Sequence, residues 1–165
     1  MTDLKEKEVR DETIDLAEKL ILENGNSIPL PLKHTFSNGL YIREIFVPAG
    51  TLLTTSIHKK EHPFVISSGK CKIYDGDNIL CLSAPHTGIT EANTRRIIYV
   101  EEDTTWTTFH VTNKTDVSEI EKEILIEHKN EYADQVLLEK AKKNIRSINF
   151  YEEEKILTGG ESCHS

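Results

Sequence analysis

Between residues 28 and 112 the chain is a succession of short β-branched and aromatic segments separated by turn residues, and this pattern restricts the fold more than any other feature. The segments read "LYIREIFV", "TLLTTSIH", "PFVIS", "KCKIY", "ILCLS", "RRIIYV" and "TTWTTFHV". Each is short for a helix and rich in side chains that pack well on a pleated surface. Two separators are specific: Asn38-Gly39 and Asp75-Gly76 can take positive φ at little cost, as a tight hairpin turn requires. Seven or eight strands at this spacing predict an antiparallel sandwich or barrel.

Helical periodicity flanks this region on both sides. Residues 3–24 carry Leu4, Val9, Ile14, Leu16, Leu20 and Leu22 among charges and stop at Asn24-Gly25, which predicts a loosely amphipathic helix. In "TDVSEIEKEI", Asp116 and Glu119 form a capping arrangement ahead of an apolar stripe of Val117, Ile120, Ile124 and Leu125. Helical spacing continues, with a break near Asn130, through Val136, Leu137 and Ile145, and "TGGESCHS" reads as a frayed tail. A chain of 165 residues suffices for one core. The expected organisation is a helical extension over 1–27, a barrel over 28–113, and a second helical extension with a tail over 114–165.

The net charge of −8 argues against nucleic acid and anionic membrane as partners. No apolar run approaches bilayer length, and the first residues, "MTDLKEKEVRDE", are charged rather than signal-like. The expectation is a chain that stays in the cytoplasm where it is made. Cys71, Cys81 and Cys163 cannot all pair and form no CxxC motif. Cys71 and Cys81 read as small buried hydrophobes on either side of a turn; a disulfide across that hairpin can form in principle, but reduced thiols are expected in a cytoplasm.

The stretch "VPAGTLLTTSIHKKEHPFVISSGK", residues 47–70, holds two histidines four apart. Strand alternation puts Thr54, Ser56 and His58 on one face, and His62 on the same side as Phe64 and Ile66. Paired as a hairpin, the two runs would bring His58 and His62 together at its neck. Two imidazoles begin a site for zinc, iron, manganese or nickel, which needs a third protein ligand. His110, beside Trp106 and Thr108 in the last strand, is a further candidate if that face points inward. His34, His86, His128 and His164 fall in an edge strand, a loop, a helix and a tail, without a partner at ligand spacing. Arg95 or Arg96 could hold a carboxylate or phosphate in a barrel mouth. Tyr41, Arg43 and Trp106 could line a pocket, although Trp106 also reads as core packing. Nucleophile elbow, P-loop and dinucleotide fingerprint are all missing from the sequence.

The 47–70 stretch resembles the first motif of the cupin superfamily, small β-barrels on a jelly-roll plan. That motif runs Gly, five residues, His-x-His, three or four residues, Glu, six residues, Gly; here Gly50 and Gly69 bracket Ser56-Ile57-His58 and His62 at the same spacings. Ser56 stands where the motif has its first histidine, and His62 where it has glutamate. The second motif, Pro-x-Gly-x-x-His-x-x-x-Asn, is kept loosely in "PHTGITEANTRR", with one extra residue between Pro85 and Gly88. Counting from Gly88, its histidine position falls on Glu91 and its asparagine position on Arg95. The resemblance thus implies a divalent metal on His58, His62 and Glu91.

Over roughly residues 40–126, "REIFVPAGTLLTTSIHKKEH" and "EDTTWTTFHVTNKTDVSEIEKE" are similar to small cupin-like proteins encoded by tailed bacteriophages. This implies an all-β, cupin-like jelly-roll barrel working in the host cytoplasm or on the virion. The flanking N- and C-terminal helices, read from periodicity, complete the expected fold; the first of them and the residues beyond about 127 fall outside the resemblance. Three functions stay open. The altered ligand set favours a non-catalytic phage protein (virion component, assembly factor or modulator of host processes), its helical stripes burying against a second copy or other phage proteins. The alternative is a metal-dependent small-molecule enzyme with the metal on His58 and His62. A third is sequestration of a small molecule in the barrel, with Arg95 or Arg96 reading an anionic group.

Overall fold

A computed structural model describes residues 13–21, 23, 28–76 and 78–127, and the backbone of residues 156–157. A helix, α1, occupies residues 13–21. It is followed by strands β1 (Leu32–Ser37), β2 (Leu40–Val47), β3 (Leu52–Thr54), β4 (His62–Tyr74), β5 (Ile79–Ser83), β6 (His86–Thr90) and β7 (Ile97–Val111). Helix α2 (Val117–Ile124) and strand β8 (Ile156–Leu157) complete the described elements. All strand pairs are antiparallel except β5 with β8.

The long strands β4 and β7 pair along their length and organise everything else. Their Phe64–Ile66 and Trp106–Thr108 portions are flanked by β2 and β1 on one side and by β6 on the other. Their Lys72–Tyr74 and Ile97–Tyr99 portions are flanked instead by β3 and by β5, with β8 outermost. Between the two portions the register shifts at Ile66/Ser68, Ser68/Lys70 and Lys70/Cys71, and such irregularities bend and twist a sheet. Gly69 sits in this bend at φ +95°, and a side chain there would strike Thr104 and the Asp103 carbonyl. The sheet turns over on itself, so that Val47, Phe64 and Ile66 from one portion pack with Ile73, Ile98 and Val100 from the other.

Several sequence expectations hold. "LYIREIFV" and "ILCLS" are β2 and β5. Asn38-Gly39 joins β1 to β2, with Gly39 at φ +76°. Asp116 caps α2 by accepting from the Glu119 amide at 3.0 Å, and Ile120 is buried. Other expectations change. "PFVIS" and "KCKIY" fuse into β4, and the last two runs into β7, because the bend needs no chain reversal. "TLLTTSIH" is strand only at Leu52–Thr54 and pairs with β7, so the expected hairpin with the following run does not form. His86 opens strand β6 rather than lying in a loop. Cys71 is a buried free thiol, as the reduced reading expects, but Cys81 is disulfide-bonded, against that reading, and its bridge does not cross the β4–β5 hairpin. Strand β8 adds to the edge of β5 in a region expected to be helix and tail. The expected helical spacing through Val136 and Ile145 lies outside the described residues, as do His128 and His164.

Helix α1 closes one side of the sheet. Ile14 is buried with Tyr74, Ile79 and Ile97, a burial worth about 1.5–3 kcal/mol. On the same helix, Asp15 and Glu18 both pair with Arg95. Among the described residues no helix is long and apolar enough to cross a membrane.

Candidate metal centre

Three histidines from separate parts of the chain converge: His58, His62 and His110 each offer a ring nitrogen within 4.8 Å of the other two. His62 is the first residue of β4 and pairs with Thr90 of β6. His110 lies near the end of β7 opposite Tyr41 of β2. Because Phe64 pairs with Thr108 in an antiparallel ladder, His62 and His110 lie two residues further along it on the same face. His58 comes from the segment between β3 and β4. Its carbonyl accepts from the Asn93 amide at 2.9 Å, while the Lys59 amide donates to the carbonyl of Ile124, the last residue of α2, and the Ile57 carbonyl accepts from the Ile126 amide, at 2.8 Å each. Helix α2 and the turn after β6 therefore hold His58 over the other two rings.

The ring centroids are 4.2 Å apart for His58–His62, 4.6 Å for His62–His110 and 5.2 Å for His58–His110. Burial, reinforced by His62 and Arg43, lowers the pKa of His58 to about 4. Burial and the two neighbouring imidazoles lower that of His110 to about 3. His62 is also lowered, chiefly by burial. All three rings are thus neutral at pH 7, the state in which imidazole donates a lone pair to a metal. Two further contacts set ring orientation. His110 Nε2 lies 3.0 Å from the Thr108 hydroxyl. The fully buried Tyr41 stacks on His110 at 5.9 Å and its hydroxyl meets His34 Nδ1 at 2.7 Å.

The cluster fits a divalent transition metal. His62 Nδ1 is buried without a hydrogen-bond partner, an arrangement that costs free energy unless something fills it. Three imidazoles are a recurrent donor set for zinc and for other late transition metals, with remaining positions left to water or ligand. Holding one ion at about 2.0–2.1 Å would draw together nitrogens that now lie within 4.8 Å of one another.

His58 and His62, but not His110, line a cavity of about 200 Å³ between the two portions of the sheet. Ile45, Val47, Leu53, Ile98, Val100 and Trp106 give it a mainly apolar wall. Among the described residues, Arg43 and Arg96 are its charged lining and no Asp or Glu lines it. Cys71 reaches the same cavity with its thiol pushed up to about 12 by burial, which leaves it unreactive.

The structure distributes the other sequence candidates unevenly. Thr54 and Ser56 line the cavity with His58, as alternation suggested, and the intervening Thr55 does too because the strand has ended. Glu91 is exposed and is not part of the histidine cluster; the residue facing His62 is Thr90, one position earlier. Arg95 is buried away from the cavity, its guanidinium engaged by Asp15, Glu18 and the Thr55 carbonyl. Arg96 does line the cavity, and so does Trp106, stacked on Phe64 at 4.6 Å. Tyr41 stands behind His110 instead of in the wall. His34 and His86 lie outside the cluster, the second against Phe64.

No protein-family model matches the sequence, and no curated protein does. Solved structures that are similar in chain path include a cupin superfamily protein from Desulfitobacterium hafniense, 11% identical over 53% of this chain and 82% of that one, with a TM-score of 0.44. A cupin-2 domain containing protein from Shewanella frigidimarina is 12% identical over 62% of this chain and 98% of that one, with a TM-score of 0.42. An acetylacetone dioxygenase from Acinetobacter johnsonii is 12% identical over 50% of this chain and 59% of that one, with a TM-score of 0.43.

Proposed function

We propose that this chain is a cupin-type barrel protein that holds one divalent transition-metal ion on His58, His62 and His110 and binds a small molecule beside it. The observation that carries the proposal is the convergence of three neutral imidazoles, His62 and His110 buried and His58 half-buried, with His58 and His62 also lining an apolar cavity. The motif spacing from Gly50 to Gly69 supports the family reading, and both glycines take the positive φ, +82° and +95°, that favours glycine. A bound ion would supply Lewis acidity, polarising a carbonyl or lowering the pKa of a bound water. The chain's own residues hold and orient: Thr108 and Tyr41 steady His110, the backbone bonds around His58 fix its approach, and the apolar wall excludes bulk water.

A second reading is favoured by the lining itself. With the imidazoles committed to a metal, the described lining of the cavity offers no carboxylate to move a proton. Sequestration or sensing of the small molecule, without turnover, suits that wall, and a non-catalytic role in a phage-encoded setting accords with the sequence resemblance.

Metal analysis of tag-free protein tests the proposal. One equivalent of zinc, iron, manganese or nickel is expected per chain, and His58→Ala, His62→Ala and His110→Ala should each lose it while keeping the β-sheet circular dichroism. Failure to take up any of the four on loading, or full metal content in His58→Ala, rejects it.

A further inference from the structure

We propose that the small molecule bound in the cavity is an organic carboxylate with a compact apolar body, its anionic group read by Arg96. The inference rests on reading the cavity as the binding site, but not on the metal.

Charge selection is the first observation. In a protein of net charge −8, the cavity is lined by two arginines and, among the described residues, by no acidic one. The two arginines are not equivalent. Arg43 lies 3.6 Å from Glu121 and is partly neutralised. Arg96 has no ion pair among the described residues, and its Nε is buried without a hydrogen-bond partner. Asp75 and Glu91 act on it only from beyond contact. A buried guanidinium N–H left unpaired is costly, and a carboxylate supplies the bidentate acceptor that its planar fork matches.

Rigidity is the second. Arg96 donates its amide to the Thr55 hydroxyl at 3.0 Å, and its carbonyl accepts from the Thr55 amide at 3.0 Å. Next to it, Arg95 is anchored by Asp15 and Glu18 of α1. The backbone that carries Arg96 is therefore fixed before a ligand arrives, which lowers the entropy lost on binding. Arg95 and Arg96 divide the labour: one ties the wall to α1, the other faces the cavity.

Shape is the third. Trp106, Ile45, Val47 and Ile98 supply apolar contact for the body of the ligand, while the polar lining is threonine and serine, with the Thr54 hydroxyl already donated to Glu18. Inorganic phosphate or sulfate would leave that wall bare, so the lining favours an anion attached to hydrocarbon.

Calorimetric titration of EDTA-treated, metal-free protein with matched pairs, benzoate against benzamide and hexanoate against hexanamide, tests the assignment. Each carboxylate should bind at one site, roughly ten- to a hundredfold tighter than its amide, the range of a charge-assisted hydrogen bond. Arg96→Gln should abolish that preference, with Arg96→Lys keeping part of it. Equal binding of carboxylate and amide to the wild-type protein overturns the proposal, and this comparison holds even if Arg96→Gln does not fold. No saturation by either carboxylate up to millimolar concentration, unchanged carboxylate affinity in folded Arg96→Gln, or tighter binding of inorganic phosphate also overturns it. Carboxylate binding that persists in a protein unable to take up metal would reject the metal reading alone.

Discussion

The imidazoles of His58 and His110 lie nearly parallel, their planes 8° apart and their ring centres separated by 5.2 Å, although the residues come from different elements. His110 is placed by the β2–β7 ladder, whereas His58 is placed by backbone bonds to the segments after β6 and α2. Neighbouring imidazoles this close cannot both be charged without mutual repulsion. Their proximity links the stability of the barrel to pH.

In metal-free protein, stability should fall as pH drops below about 6.5, the ordinary histidine value. The unfolded chain takes up protons there, while folded His58 stays neutral down to about 4 and folded His110 down to about 3. Each proton bound only by the unfolded state costs about 1.4 kcal/mol per pH unit. Stability is therefore full above the unfolded pKa and is lost on acidification towards the folded ones. Urea unfolding of EDTA-treated protein between pH 7.5 and pH 4.5 measures the slope, and His110→Asn should flatten it. A slope that stays the same in the variant would place the sensitivity elsewhere.

Arg95→Met should be severely destabilising, because it removes the buried guanidinium that pairs with the buried Asp15 carboxylate and with Glu18. Breaking a buried pair on one side costs about 3–5 kcal/mol. The loss should be concentrated at α1: amide exchange over residues 13–21 should accelerate more than in β4 and β7. Replacing Asp15 as well, in Arg95→Met/Asp15→Leu, should recover part of the stability. Uniform acceleration across the sheet would argue against α1 as the element that Arg95 secures.

Much of this was legible in the sequence, and the misses have physical causes. Gly50, His58, His62 and Gly69 are located by spacing, which survives any choice of strand face. His110 depends on which face of β7 turns inward, and alternation alone leaves that choice open. Glu91 shows how sharp the dependence is. A one-residue offset exchanges faces, and Thr90 takes the inward position opposite His62. Strand β6 reads "HTGIT", with a glycine and few apolar residues, so its propensity signal is weak. The partners of Arg95 are 77 and 80 residues away in the chain, and no local pattern announces an ion pair of that range.

Gly69→Ala and Gly50→Ala should separate steric clash from backbone strain. Both positions have positive φ, which costs a non-glycine residue about 1–2 kcal/mol. At Gly50 a Cβ meets nothing within 4 Å, so the loss should stay near that figure. At Gly69 the Cβ collides with Thr104 and the Asp103 carbonyl, backbone that cannot simply rotate aside. Gly69→Ala should therefore cost at least about 2 kcal/mol more, within the usual range for overpacking. Equal thermal shifts in the two variants would mean that the β4–β7 bend yields more readily than its geometry implies.

Trp106 is the protein's one tryptophan, and it lines the same cavity as His58 and His62. Its fluorescence should therefore report on the site without a label. Paramagnetic Ni²⁺ held by the three histidines should quench the emission with a saturating, one-site dependence, and EDTA should restore it. In His58→Ala the quenching should weaken by roughly tenfold or more in concentration, the scale on which losing a ligand or its support reduces metal affinity. Zn²⁺, which lacks unpaired electrons, should compete the quenching away without producing it. Linear, non-saturating quenching that is the same in His58→Ala would be collisional, and it would place the ion in solution instead of on the histidines.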